Sequence, residues 1–106
     1  MNPTNIFESI PSNLEPEIFE DIIKSSNIRV ERIISKGQST PKGSWYDQDE
    51  HEWVMVLEGA AVLGFEDGSS VSLKKGDYLN IPAHCKHKVS WTDPDQITIW
   101  LAIFYK

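Results

Sequence analysis

At 106 residues, 40% of them hydrophobic, the chain is long enough for one domain with a single core and is composed to fold. A formal charge of -6 with no basic run excludes a surface built to displace counterions from nucleic acid or to sit on an anionic membrane. A single cysteine, Cys85, excludes an internal disulfide, and no segment reaches the roughly 18 apolar residues of a membrane span. With no signal-like N-terminus either, the expected location is the cytoplasm.

The first eleven residues carry two prolines and little pattern. Ser12 can cap a helix, Glu15 follows three residues later as in a capping box, and Pro16 is tolerated in a first turn. Leu14, Ile18 and Ile22, with Phe19 and Ile23 beside them, make one apolar stripe at helical spacing. These residues predict a short helix ending near Ser25, so that residues 1–27 are a segment and helix packed on a sheet domain of residues 28–106.

From Ile28 the apolar period falls to about two, and a strand runs through Val30, Ile33 and Ile34 to about Ser35. Lys36 to Ser44 is loop by its Gly, Pro, Ser and Thr content. The stretch Trp45 to Gly59, WYDQDEHEWVMVLEG, then joins a polar, aromatic loop to a buried strand over Glu52–Leu57. Gly59, Gly68 and Gly76 each close a short strand, and Asp67-Gly68 is the strongest hairpin signal of the three. Further strands are predicted from Gly76 to Pro82, from His87 to Trp91 and from Ile97 to Tyr105. Strands at such short intervals mean an all-β sandwich or barrel. The last strand is apolar on both faces, so its second face must be covered, by the helix or by a second subunit.

A carboxylate at the start of a buried strand places Glu52 at the mouth of a barrel pocket, and a buried carboxylate needs a partner. His87 is the expected one, with Gln48 or Asp47 as a third polar group. Trp91 shares strand parity with His87 and Val89 and is expected to face inward, forming the pocket wall with Tyr46. His51 falls on the opposite parity to Glu52. His84 lies in a turn where histidine tolerates positive φ, and Cys85 reads as an ordinary small buried thiol. Trp53, Met55 and Leu57 form an outer strip, expected to join Trp100 and Phe104 as a dimer face or the seat of the helix.

Two partial motifs on these strands resemble those of the small single-domain cupins across residues 28–104. Gly76-Asp77-Tyr78-Leu79-Asn80-Ile81-Pro82 followed by His87 resembles the second cupin motif, with His84 and Trp91 replacing its later Gly and Asn. Glu52 to Gly59 resembles the E-x6-G ending of the first. The resemblance implies a double-stranded β-helix, the cupin jelly-roll barrel. It further implies a small-molecule site with Glu52 and His87 as catalytic groups and Tyr46, Asp47, Gln48 and Trp91 against the ligand. Metal-holding members carry two His ahead of the motif Glu; here those positions are Tyr46 and Gln48, or Trp45 and Asp47. A divalent ion implied by the resemblance therefore has Glu52 and His87 with Gln48, or Asp47, as a third group, and would be held weakly. The expected function is a small-molecule-binding cupin, as a metal-assisted isomerase, lyase or oxygenase, in a homodimer; the alternative is a non-catalytic sensor or binding cupin without metal.

Overall fold

The computed structural model covers residues 1–106 and contains eight strands and no helix. They are β1 (Ile18–Lys24), β2 (Ile28–Ser35), β3 (His51–Glu58), β4 (Ala60–Phe65), β5 (Ser70–Lys74), β6 (Tyr78–Ile81), β7 (His87–Thr92) and β8 (Thr98–Tyr105). Two antiparallel sheets result, one ordered β1-β2-β8-β3-β6 and the other β5-β4-β7. Val54, Val56, Trp100, Ala102 and Phe104 of the larger sheet meet Ala61, Leu63 and Leu73 of the smaller in one buried core. Each large apolar side chain buried there contributes about 1.5–3 kcal/mol. None of the chain's elements is a helix long and apolar enough to cross a membrane.

The expected N-terminal helix is not formed. Ile18–Lys24 is instead an edge strand, pairing antiparallel with β2 from Ile18↔Ile34 to Lys24↔Arg29. The register slips between Asp21 and Ile23, so Ile22 is an extra residue. That bulge explains the misreading: one inserted residue in a strand gives isoleucines a spacing that imitates a helical stripe. Ser12 caps nothing, and it is Asn13 whose side chain accepts from Glu15 N, at 3.1 Å, in a local turn. What precedes β1 is held from outside by Arg32, which is 8% exposed. Its guanidinium donates to the carbonyls of Ile6 (3.0 Å), Glu8 (2.6 Å) and Ser9 (3.3 Å) and to Glu20 (2.7 Å).

Gly59 turns β3 into β4 at φ +90°. Its missing side chain is what lets Thr98 come close enough to bind Ala60, donating to its carbonyl at 3.2 Å and accepting from its amide at 3.3 Å. On β7 the register slips once more. Val62 faces Trp91 but Leu63 faces Val89, which leaves Ser90 as the surplus residue. The same edge strand is covered by the preceding loop: Thr40 exchanges bonds with Val89 and Tyr46 with His87, all at 2.7–3.1 Å. A polar loop laced to a sheet edge in this way also removes that edge as a template for a foreign strand.

Candidate functional site

A cavity of about 370 Å³ lies between the sheets. Alternation on β3 turns Glu52 and Val54 into it, while His51, Trp53 and Met55 face outward. On β8 the inward set is Trp100 and Phe104. The expectation that these two join an outer strip with Trp53 is therefore corrected. Both are buried, at 3% and 7% exposure, and line the cavity. β2 contributes Arg29, Glu31 and Ile33, β1 contributes Phe19, and the residue just before it is Glu17. The smaller sheet supplies Leu63, His87 and Val89, and the loop before β3 supplies Tyr46 and Gln48.

His87 and Glu52 meet as expected, with Nε2 3.0 Å from Oε1. The protonation of the pair follows from the other contact of the ring. His87 Nδ1 lies 2.8 Å from the carbonyl of Cys85, which can only accept, so Nδ1 carries a hydrogen. A carboxylate also only accepts, so Nε2 carries one too whenever Glu52 is ionised. The pair thus holds one mobile proton in a site where the side chains are 5% and 12% exposed. Burial works against the imidazolium, but the hydrogen bonds to Glu52 and Cys85 and the charge of Glu52 outweigh it, and His87 is held above its ordinary 6.5. Gln48 Nε2 donates to the same Glu52 oxygen at 3.1 Å.

A second network orients Glu17. Trp100 Nε1 donates to Ser35 Oγ at 3.1 Å, and Ser35 in turn donates to Glu17 Oε2. A third holds Arg29, whose two terminal nitrogens reach Glu31 and Glu50, both at 3.1 Å, while its guanidinium carbon sits 4.1 Å from the centre of the Phe104 ring. Burial pushes the carboxyls of Glu17 and Glu31 up from 4.5; for Glu31 the pull of Arg29 is opposed by Asp21 and Glu52.

These three groups titrate in one direction. A group held above its unfolded value supports folding fully below that value and loses the contribution as pH rises through its folded value. Glu17 and Glu31 open such a window at 4.5 and His87 opens one at 6.5. The thermal midpoint is expected to fall steadily from pH 5 to pH 8, and His87→Gln to flatten the part above pH 6.5. A midpoint that climbs over that interval would contradict the assignment.

The remaining predicted residues lie outside the cavity. Trp91 is 43% exposed and faces away, because the surplus Ser90 reverses the strand parity after Val89. Thr92 takes the inward place instead and donates to the carbonyl of Gln38 at 2.6 Å. Asp47 is exposed and bonds His84 Nδ1 at 2.8 Å, while Asp49 approaches the other ring nitrogen at 3.2 Å. Its role is to clip the loop before β3 to the turn after β6. His84 N to Gln48 O (2.9 Å) and Ala83 N to His51 Nδ1 (2.9 Å) do the same. His84 has φ 62°, the left-handed turn expected of it. Trp45 is 38% exposed under the ammonium of Lys88. Sequence reasoning missed Glu17, Phe19, Arg29 and Glu31. The alternation Arg29, Glu31, Ile33 was a usable signal, but Arg32 put a charge on the other face of β2 as well.

A metal where the resemblance implies one would fall to Gln48, Glu52 and His87. Glu52 and His87 bond each other, and Gln48 presents its amide nitrogen to the same oxygen. No three His, Cys, Asp or Glu converge anywhere on a common point. Two ionisable donors and an amide do not fit a resident divalent ion, and the arrangement suits a shared proton instead.

Two facing antiparallel sheets around a cavity, with a strand-borne Glu opposite a His after a Pro-bounded turn, define a cupin barrel. The sequence matches the profile of the cupin domain family over residues 31–104, and the chain belongs to that family. A crystal structure from Ralstonia eutropha, provisionally named a mannose-6-phosphate isomerase, is 39% identical with a TM-score of 0.94, covering 100% of this chain and 99% of that one. A cupin superfamily protein of Desulfitobacterium hafniense is 20% identical with a TM-score of 0.75, covering 91% and 83%. An RmlC-like cupin of Desulfovibrio desulfuricans is 19% identical with a TM-score of 0.75, covering 98% and 96%. These two show the shared fold. No protein of curated function matches the sequence.

Proposed function

We propose that this cupin binds a small molecule in the cavity between its sheets and moves a proton on it through Glu52 and His87, as an isomerase-type acid–base site. The observation that carries the reading is the buried pair itself, with the Cys85 carbonyl fixing one ring hydrogen and leaving the other to be exchanged with Glu52. Glu52 uses one oxygen for His87 and Gln48, and its other oxygen has no donor in the cavity wall. Glu52 can therefore take a ligand proton at its free oxygen and return it from there, while the proton it shares with His87 Nε2 balances its charge, with no metal required. The name given to the Ralstonia eutropha relative, an isomerase, agrees with this class of chemistry.

Deuterium wash-in tests it. A set of hydroxycarbonyl compounds and amino ketones is incubated with the protein in D2O, with and without EDTA, and loss of carbon-bound protons is followed by NMR. Exchange that survives EDTA and drops by about 10²-fold or more in Glu52→Gln is the expected result. The Gln side chain can still bond a neutral His87, so a folded but inactive variant isolates the proton transfer from the structural role. Exchange that is absent throughout, or indifferent to Glu52→Gln, leaves a binding protein without catalysis.

A further inference from the structure

The charge balance of the cavity limits what it can take. Three carboxylates line it, Glu17, Glu31 and Glu52, against one guanidinium and one imidazole. The imidazole is matched by Glu52 at 3.0 Å. The guanidinium is committed twice over, to Glu31 and to Glu50. No cation is left for Glu17, whose only side-chain partner is the Ser35 hydroxyl. Glu17 and Glu52 each use one oxygen within the wall and their second oxygens take no donor from the protein, while Glu31, bound to Arg29, also faces the carboxyl of Asp21. None of these oxygens is sealed away from solvent, since no buried polar side-chain atom lacks a partner.

Arg29 shows what such a wall accepts. It is a flat organic cation stacked 4.1 Å over Phe104 with a carboxylate on either side. The free oxygens of Glu17 and Glu52, with the negative charge of Glu31 close by and Phe19, Tyr46 and Trp100 beside them, repeat that chemistry in the open part of the cavity. We infer that the ligand of this cavity is an organic cation, an amidine, guanidine or protonated amine on a flat or aliphatic body, and that phosphorylated ligands are rejected. The inference rests on the proposed role of the cavity as the ligand site and adds the charge class of the ligand. The field inside the cavity agrees with it. After burial, the charges of Glu17 and Glu52 are the main causes raising the Tyr46 phenol above its ordinary 10.0. A phosphate dianion would meet the same field and find no unpaired Lys or Arg to hold it.

Benzamidine, benzamide and benzoate share one shape and carry charges of about +1, 0 and -1 at neutral pH, so they separate charge from fit. Each is titrated into the full-length protein at pH 7.5 by calorimetry and thermal shift, with mannose 6-phosphate as a fourth probe. The expected result is saturable binding of benzamidine, roughly tenfold or more tighter than benzamide, with no binding of benzoate or mannose 6-phosphate. Glu17→Gln and Glu31→Gln, whose amides can still accept from Ser35 and Arg29, each weaken benzamidine by roughly tenfold. Benzoate or mannose 6-phosphate binding as well as benzamidine overturns the charge class and leaves the cavity as a ligand site. Benzamidine binding that ignores both variants also overturns it, since the contact is then elsewhere. Silence from all four probes, together with no deuterium exchange, removes both readings.

Discussion

His87→Ala is expected to lower stability by about 3 kcal/mol, the low end of the range for stripping one partner from a buried ion pair. The cost has two sources. Glu52 loses the donor 3.0 Å away in a site where its side chain is 12% exposed, and the imidazole leaves a void beside Tyr46 and Phe65. It stays at the low end because Gln48 continues to donate to the same oxygen. Urea denaturation at pH 6 measures it. The decisive comparison is the double replacement Glu52→Leu with His87→Leu, which removes both charges and refills the volume. Its loss should be smaller than that of the single variant, because an apolar pair carries no desolvation cost. A double variant weaker than His87→Ala would mean that the pair itself, rather than its isolated remnant, governs stability.

Gly59→Ala should be about as costly, at 3 kcal/mol or more. An alanine held at φ +90° is strained by roughly 1–2 kcal/mol. Its Cβ would also fall 2.6 Å from Thr98 Cα and 2.7 Å from the Ile97 carbonyl, both backbone atoms that cannot swing aside. Moving them pulls apart the two Thr98–Ala60 hydrogen bonds that hold β4 to β8 across the sheets. Gly68→Ala provides the control. Its φ is +88°, but nothing lies within 4 Å of the added carbon, so only the backbone strain remains. The expected drop in the urea midpoint is therefore at least twice as large for position 59 as for position 68. Equal losses would show that the close approach of Thr98 is easily relieved.

Sequence alone carried the frame from β2 onward because turns and alternation agreed there. Gly59, Gly68 and Gly76 all adopt the positive φ that a tight turn demands, and His84 does so without being glycine. The facing of Glu52 and His87 was also legible, since each lies at the head of a strand, second in β3 and first in β7, whose next inward residues, Val54 and Val89, are apolar. What failed did so for two physical reasons. Bulges at Ile22 and Ser90 break the period on which any count of faces depends; the first disguised a strand as a helix and the second turned Trp91 outward. The other reason is that β8 is apolar on both sides, so alternation could not say whether Trp100 and Phe104 look in or out. Arg29 and Glu31 were hidden for a related cause. Charges on both faces of β2 masked the alternation of Arg29 and Glu31, so that the set lining the cavity did not stand apart from Arg32, which clasps the N-terminal segment.

Ser90 therefore sets the capacity of the protein. Were it to take a regular place in the ladder opposite Val62, the indole now in solvent would turn between the sheets and occupy the room a ligand needs, and Thr92 would let go of Gln38. One residue left out of step with its neighbour strand is what keeps the barrel hollow.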